Sequence, residues 1–151
     1  MDGVEEGRVP DHDRRAAMKI LNFILRLVLG GIFLYAGAIK IVNPAAFATG
    51  IGNYRLLAHE WLNLLAITLP WIEVIAAALL IAGVWKRASA LLIALMLVVF
   101  LVAIGQAVAR NLNIDCGCFG TVAGRKVGLM GLGEDLAMLA GALWLTWRER
   151  D

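Results

Sequence analysis

The chain reads as an all-α integral membrane protein, a four-transmembrane-helix bundle of up-down topology with both termini cytoplasmic. Three observations predict this. Of 151 residues, 61% are hydrophobic and 17% charged, against about 45–50% and about 25% in soluble domains. The apolar excess falls in four runs, residues 20–42, 61–85, 88–109 and 127–147. A helix rising about 1.5 Å per residue needs about 20 residues to cross a ~30 Å hydrocarbon core, and each run has that length. Finally, the basic residues collect at the ends of the runs rather than along them, as the positive-inside rule requires.

Residues 1–18 are expected to form a disordered cytoplasmic tail, and residues 19–151 a single membrane domain. The tail is polar and mixed in charge, with Gly3, Gly7 and Pro10, too little apolar surface to offset the entropy of ordering. Asp2, Glu5 and Glu6 precede any Arg, unlike the basic start of a signal peptide. Ala36-Gly37-Ala38 has the small-residue look of a cleavage site, but the long run and its Arg26 favour an uncleaved span.

Asn43-Pro44 ends the first run, and residues 45–57 suit a short amphipathic segment on the membrane surface. The second run carries Pro70, tolerated in a span where neighbouring helices satisfy the freed carbonyl. Trp61 and Trp85 bracket it at the two interfacial belts. Lys86-Arg87 makes a tight turn into the third run. A polar gap over residues 110–126 leads to the fourth, after which Arg148, Glu149 and Arg150 follow.

Arg8, Arg14, Arg15 and Lys19, the Lys86-Arg87 turn, and Arg148 with Arg150 share one side of a four-span arrangement. Arg55, Arg110, Arg125 and Lys126 occupy the other, with Lys40 close by. The denser set is expected in the cytoplasm. That puts the gap at 110–126 outside a bacterial inner membrane, on the periplasmic side. The formal charge of +2 is small, and no basic patch interleaves with aromatics, so nucleic acid is not an expected partner; the lipid bilayer is.

The gap holds both cysteines of the chain, in Asp115-Cys116-Gly117-Cys118-Phe119-Gly120. In an oxidising compartment a Cys pair favours a disulfide over a catalytic thiol or a metal. A C-x-C ring is small and strained, and strain makes a disulfide more oxidising. Gly117 and Gly120 supply the backbone freedom such a ring needs. Closing so short a loop stabilises a fold little. The pair therefore suits thiol–disulfide exchange. Three other readings stand beside it: a structural disulfide, an inert thiol pair, and a soft-metal site for Cu, Hg or Zn with Cys116 and Cys118 as thiolate ligands.

Charges within spans are costly and face the bundle interior. Arg26, Gly30, Phe33, Gly37 and Lys40 recur at 4-3-4-3 spacing and share one helix face, where the glycines permit close helix approach. Glu73 lies mid-span in the second run, Gln106 and Arg110 share a face of the third, and Glu134 and Asp135 open the fourth. Glu73, Glu134 and Asp135 are expected to partner Arg26, Lys40 and Arg110. These contacts serve either as buried ion pairs that set helix register or as a polar pocket below the cysteine loop. In that pocket Lys40 and Arg110 would favour a thiolate and, with Glu73 and Gln106, hold a quinone. Asp115 disfavours the thiolate or takes its proton. Arg26 lies nearest the cytoplasmic end. His12 and His59 stand alone as surface histidines.

Residues 26–33 (Arg26-Leu27-Val28-Leu29-Gly30-Gly31-Ile32-Phe33), Gly37-Ala38-Ile39-Lys40, Pro70-Trp71-Ile72-Glu73 and Cys116-Gly117-Cys118-Phe119-Gly120 together resemble the DoxX-like superfamily and, within it, the MauE (methylamine utilisation) group. The resemblance covers most of residues 20–147. It implies a four-helix membrane protein with a role in extracytoplasmic thiol redox, in some members during maturation of a disulfide-rich dehydrogenase subunit, with quinone as electron acceptor. Glu134-Asp135 has no firm match to that pattern. The expectation is thus a redox-active Cys116–Cys118 disulfide that exchanges with a thioredoxin-like partner or disulfide-rich client and is coupled to membrane quinone. Soft-metal binding or transport, and a non-catalytic scaffold for maturation of a partner enzyme, are the alternatives.

Overall fold

A computed structural model describes residues 11–112 and 129–149. Five helices order these residues: α1 (Asp11–Val42), α2 (Pro44–Asn53), α3 (His59–Ala82), α4 (Lys86–Ala109) and α5 (Leu129–Arg148). Among the described residues, α1, α3 and α4 are long and apolar enough to cross a membrane. Their outward faces carry exposed Leu27, Trp71, Leu95 and Val99, an apolar surface far beyond what a soluble monomer tolerates and suited to lipid.

Contacts along the helices set their directions. Met18, Asn22 and Leu29 of α1 meet Arg148, Trp144 and Gly141 of α5 in that reversed order. Arg26 and Lys40 of α1 likewise meet Leu80 and Glu73 of α3. The start of α4 meets the end of α5 through Lys86 and Glu149. The four long helices therefore alternate in direction. Their shared core is small and dense: Leu29 and Phe33 of α1, Ala76, Ala77 and Leu80 of α3, Ala90, Ile93, Ala94 and Leu97 of α4, and Ala142 and Leu145 of α5. Alanines on three of these helices let the backbones approach closely enough for dispersion to hold them together in lipid.

Local signals explain most boundaries. The Asn43 side chain accepts a hydrogen bond from the Ala46 N–H at 3.2 Å and so caps α2. Pro44 takes the first position of that helix, where its missing N–H costs nothing. Gly83, at φ 78°, ends α3 in the left-handed conformation, its N–H turned back to Leu79 and Leu80. Trp85 also takes a left-handed conformation, at φ 47°, before α4 begins. The α3–α4 connection is thus only residues 83–85.

Three differences from the sequence reading follow from this. The expected disordered tail over residues 1–18 is helical from Asp11 onward; residues 1–10 lie outside the described residues. Asp11 and Asp13 sit in the first turn, where the helix dipole favours negative charge, and Arg15 bonds Asp11 one turn back. The second run stops at Ala82 rather than residue 85, because Gly83 terminates the helix there. The fourth run begins its described helix at Leu129, and α5, bearing Glu134, Asp135 and Arg148, is not among the three helices apolar enough to span by composition.

Candidate functional site: a buried charge cluster

The seam between α1 and α3 begins with small residues. A Cβ on Gly37 would sit 3.1 Å from the Pro70 carbonyl and 2.7 Å from Val74 Cγ2, so only glycine lets the two backbones meet there. Lys40 follows Gly37 by three residues, and Glu73 follows Pro70 by three. Close approach at the glycine therefore delivers the two side chains to one another. Lys40 Nζ donates to Glu73 Oε1 at 3.1 Å and to Oε2 at 2.8 Å, with the two side chains only 1% and 2% exposed.

Two aromatic rings complete the ammonium's surroundings. Phe47 of α2 and Phe100 of α4 each hold their ring centroid 5.1 Å from Lys40 Nζ, within the range where the ring face attracts a cation. One lysine on α1 thus touches α2, α3 and α4. Asp135 of α5 brings the last helix to the same place. It is 4% exposed, and its Oδ2 has no hydrogen-bond partner. Asp135, Lys40 and Glu73 line one cavity of about 20 Å³ together with Ile32, Phe33, Ala36, Leu97, Phe100 and Met138. That is room for one water and not for a quinone ring.

The other expected site residues fall elsewhere. Arg26 takes no carboxylate among the described residues. Its Nε and Nη2 donate to the Leu80 carbonyl at 3.0 and 2.9 Å, and Nη2 also to Ile81 at 3.3 Å. The reason is positional: the end of α3 leaves carbonyls without helical partners, and its negative dipole end attracts a cation. Gln106 and Arg110 are exposed on α4 and do not line the cavity. Arg110 closes that helix with its N–H bonded to the Gln106 carbonyl. Glu134 is exposed beside the buried Asp135. Asp115, Cys116, Gly117, Cys118, Phe119 and Gly120 lie outside the described residues. Sequence reasoning missed Phe47 and Phe100, since nothing in helical spacing says which rings from two other helices converge on Lys40.

The cluster's chemistry is that of a desolvated ion pair plus one further carboxyl. No group of three or more His, Cys, Asp or Glu suited to a metal occurs among the described residues.

No solved structure matches the chain. The methylamine utilization protein MauE of Methylorubrum extorquens is 30% identical over 133 residues, covering 87% of this chain and 71% of that protein. The MauE of Paracoccus denitrificans is 31% identical over 96 residues, 63% of this chain and 52% of that one, so the match spans about half of that relative. The family described as methylamine utilisation protein MauE matches residues 18–148, a stretch that includes Lys40, Glu73, Asp135 and both cysteines. The chain therefore belongs to the MauE family.

Proposed function

We propose that this MauE-family chain belongs to the DoxX-like superfamily and is an accessory thiol–disulfide redox protein of the bacterial inner membrane. In this reading α5 forms the fourth span, because it runs along α1 and α4 and shares their core. Arg14, Arg15, Lys19, Lys86, Arg87 and Arg148 gather at one end of the bundle, which we assign to the cytoplasm. Cys116 and Cys118 belong to the segment that links Leu112 to Leu129 at the opposite, periplasmic end.

One observation carries the reading. The buried Lys40–Glu73–Asp135 cluster lies toward that same end, drawing a charged group from each of three helices. Charge buried in a span at this cost marks a working site more often than a fortuitous one.

The cycle balances as follows. A thiolate of a thioredoxin-like or disulfide-rich extracytoplasmic partner attacks one sulfur of the Cys116–Cys118 disulfide, and the S–S bond breaks. The partner's second thiolate then attacks the mixed disulfide. The partner leaves oxidised by two electrons, and Cys116 and Cys118 hold two thiols. Two electrons and two protons pass to a quinone, giving quinol and restoring the disulfide. Gln106 and Arg110, exposed on α4, are suited to donate to a quinone carbonyl from the lipid side. Lys40 and Glu73 are buried beside a space of one water's size, so their part is to support this end of the bundle rather than to touch the ring. The relatives' name supports methylamine utilisation as the setting in which such a client would be found.

The test is the redox state of Cys116 and Cys118 in native membranes, read by thiol-specific mass tagging after acid quench. A disulfide that becomes two thiols when the quinone pool is reduced supports the reading, as does a mixed disulfide trapped in one of the two single Cys→Ser variants. Two free thiols under both conditions refute it, and stoichiometric Cu(I) or Hg(II) uptake lost in the double Cys→Ser variant would replace it with metal binding.

A further inference from the structure

We propose that Asp135 is a proton-exchange site, its carboxyl taking up and releasing a proton inside the cavity it shares with Lys40 and Glu73. The charge count leads there. Lys40 Nζ engages both oxygens of Glu73 at 3.1 and 2.8 Å, so that pair is neutral and its geometry satisfied. Asp135 is then a second carboxyl beside a single ammonium. It is 96% buried in the sense that 4% of its surface remains exposed, and Oδ2 points to no hydrogen-bond donor.

Among the described residues, the surroundings offer no second cation. Lys40 faces Asp135 from α1 and Glu73 from α3, while α4 contributes only Leu97 and Phe100 to the shared cavity. Glu134, its neighbour on α5, is exposed and adds like charge. The three buried groups therefore have two charge states, zero and minus one, separated by a single proton on Asp135. The cavity of about 20 Å³ admits one water against Oδ2, and a water is the smallest carrier able to bring or remove that proton. A metal cation does not fit, since an apolar wall surrounds the two carboxyls and supplies none of the other oxygens it would need. Asp135 also lies only six residues into α5, about 9 Å from the start of that helix.

The purpose of the proton rests on the thiol–quinone reading; the site itself does not. Thiol oxidation releases two protons and quinone reduction consumes two, and a buried carboxyl at this end of the bundle hands them across.

Infrared spectroscopy of the full chain in lipid nanodiscs tests the site without any redox partner. The expected result is a carboxylic acid C=O band that shifts in D₂O and is lost as pH rises. It is absent in Asp135→Asn and present in the Cys116→Ser/Cys118→Ser double variant. Identical titration of wild type and Asp135→Asn overturns the proposal. If Asp135→Asn fails to fold, Asp135→Glu decides: a band moved in position supports the assignment, and an unmoved band overturns it. Because the double Cys variant is scored separately, loss of the redox reading by mass tagging leaves this result standing.

Discussion

Two cations sit on the same face of α1, and they are stabilised in opposite ways. Arg26 is half-buried and spends its fork on the backbone carbonyls of Leu80 and Ile81. Lys40 is wholly buried and meets a carboxylate, two rings and a cavity. At the Arg26 end the partner is a helix terminus, present whatever side chains α3 carries. At the Lys40 end the partner is one side chain, and every group around it depends on that choice. The first end is a structural clasp, and the second has the composition of a site.

The largest effect that separates them is a single cut at Lys40. Lys40→Met leaves Glu73 buried without its ammonium and should cost about 3–5 kcal/mol, whereas Lys40→Met with Glu73→Leu should restore most of that stability. Unfolding in mixed detergent micelles measures both. A double variant as unstable as the single one would show that the ion pair does more than satisfy itself.

Cutting the clasp should cost less. Arg26→Ala removes charged hydrogen bonds worth about 1.5–3 kcal/mol, and Arg26→Lys should recover only part, since an ammonium cannot reproduce the fork. The same unfolding assay compares the two, and a loss equal to that of Lys40→Met would erase the distinction between the ends.

The seam between them is tested at its glycines. Gly37→Val should lose about 1–3 kcal/mol through overpacking against Val74 and the Pro70 carbonyl. Gly31→Val, with open space around it, should stay within ~0.5 kcal/mol. Equal losses at the two positions would mean that α1 and α3 are not held in this register.

The smallest effect is expected at the basic end. Lys86 and Glu149 pair at 3.2 Å but remain 34% and 14% exposed. Glu149→Gln should change stability by less than ~1 kcal/mol, with the difference shrinking as salt is added. A salt-insensitive loss above that would place this pair with Lys40 rather than at the surface.

The long helices were legible because run length and span length are the same physical quantity. Sequence places Lys40 and Glu73 in one set of partners, and the 4-3-4-3 stripe on α1 is the face that buries Gly30, Phe33, Gly37 and Lys40. The choice among partners was not legible. Arg26 went to carbonyls because Gly83 ends α3 beside it, and a helix end offers acceptors that no side-chain letter announces. Gln106 and Arg110 share a depth with Lys40, yet depth does not fix rotation, and both are exposed away from the cavity. Asp11 to Met18 has the polarity of a tail, but its acidic first turn favours a helix there. The cysteine motif, which carries most of the redox reading, lies outside the described residues, so its chemistry still rests on spacing and family.

The short turn after Gly83 has a consequence for how the molecule is made. With only residues 83–85 between them, α3 and α4 must enter the bilayer together as a hairpin. Until that hairpin arrives, α1 holds two cations in hydrocarbon with no partner for either, because Arg26 waits for Leu80 and Lys40 for Glu73, 54 and 33 residues downstream. Thus α1 becomes stable only once α3 is in place, and its position in the membrane is decided by that later helix.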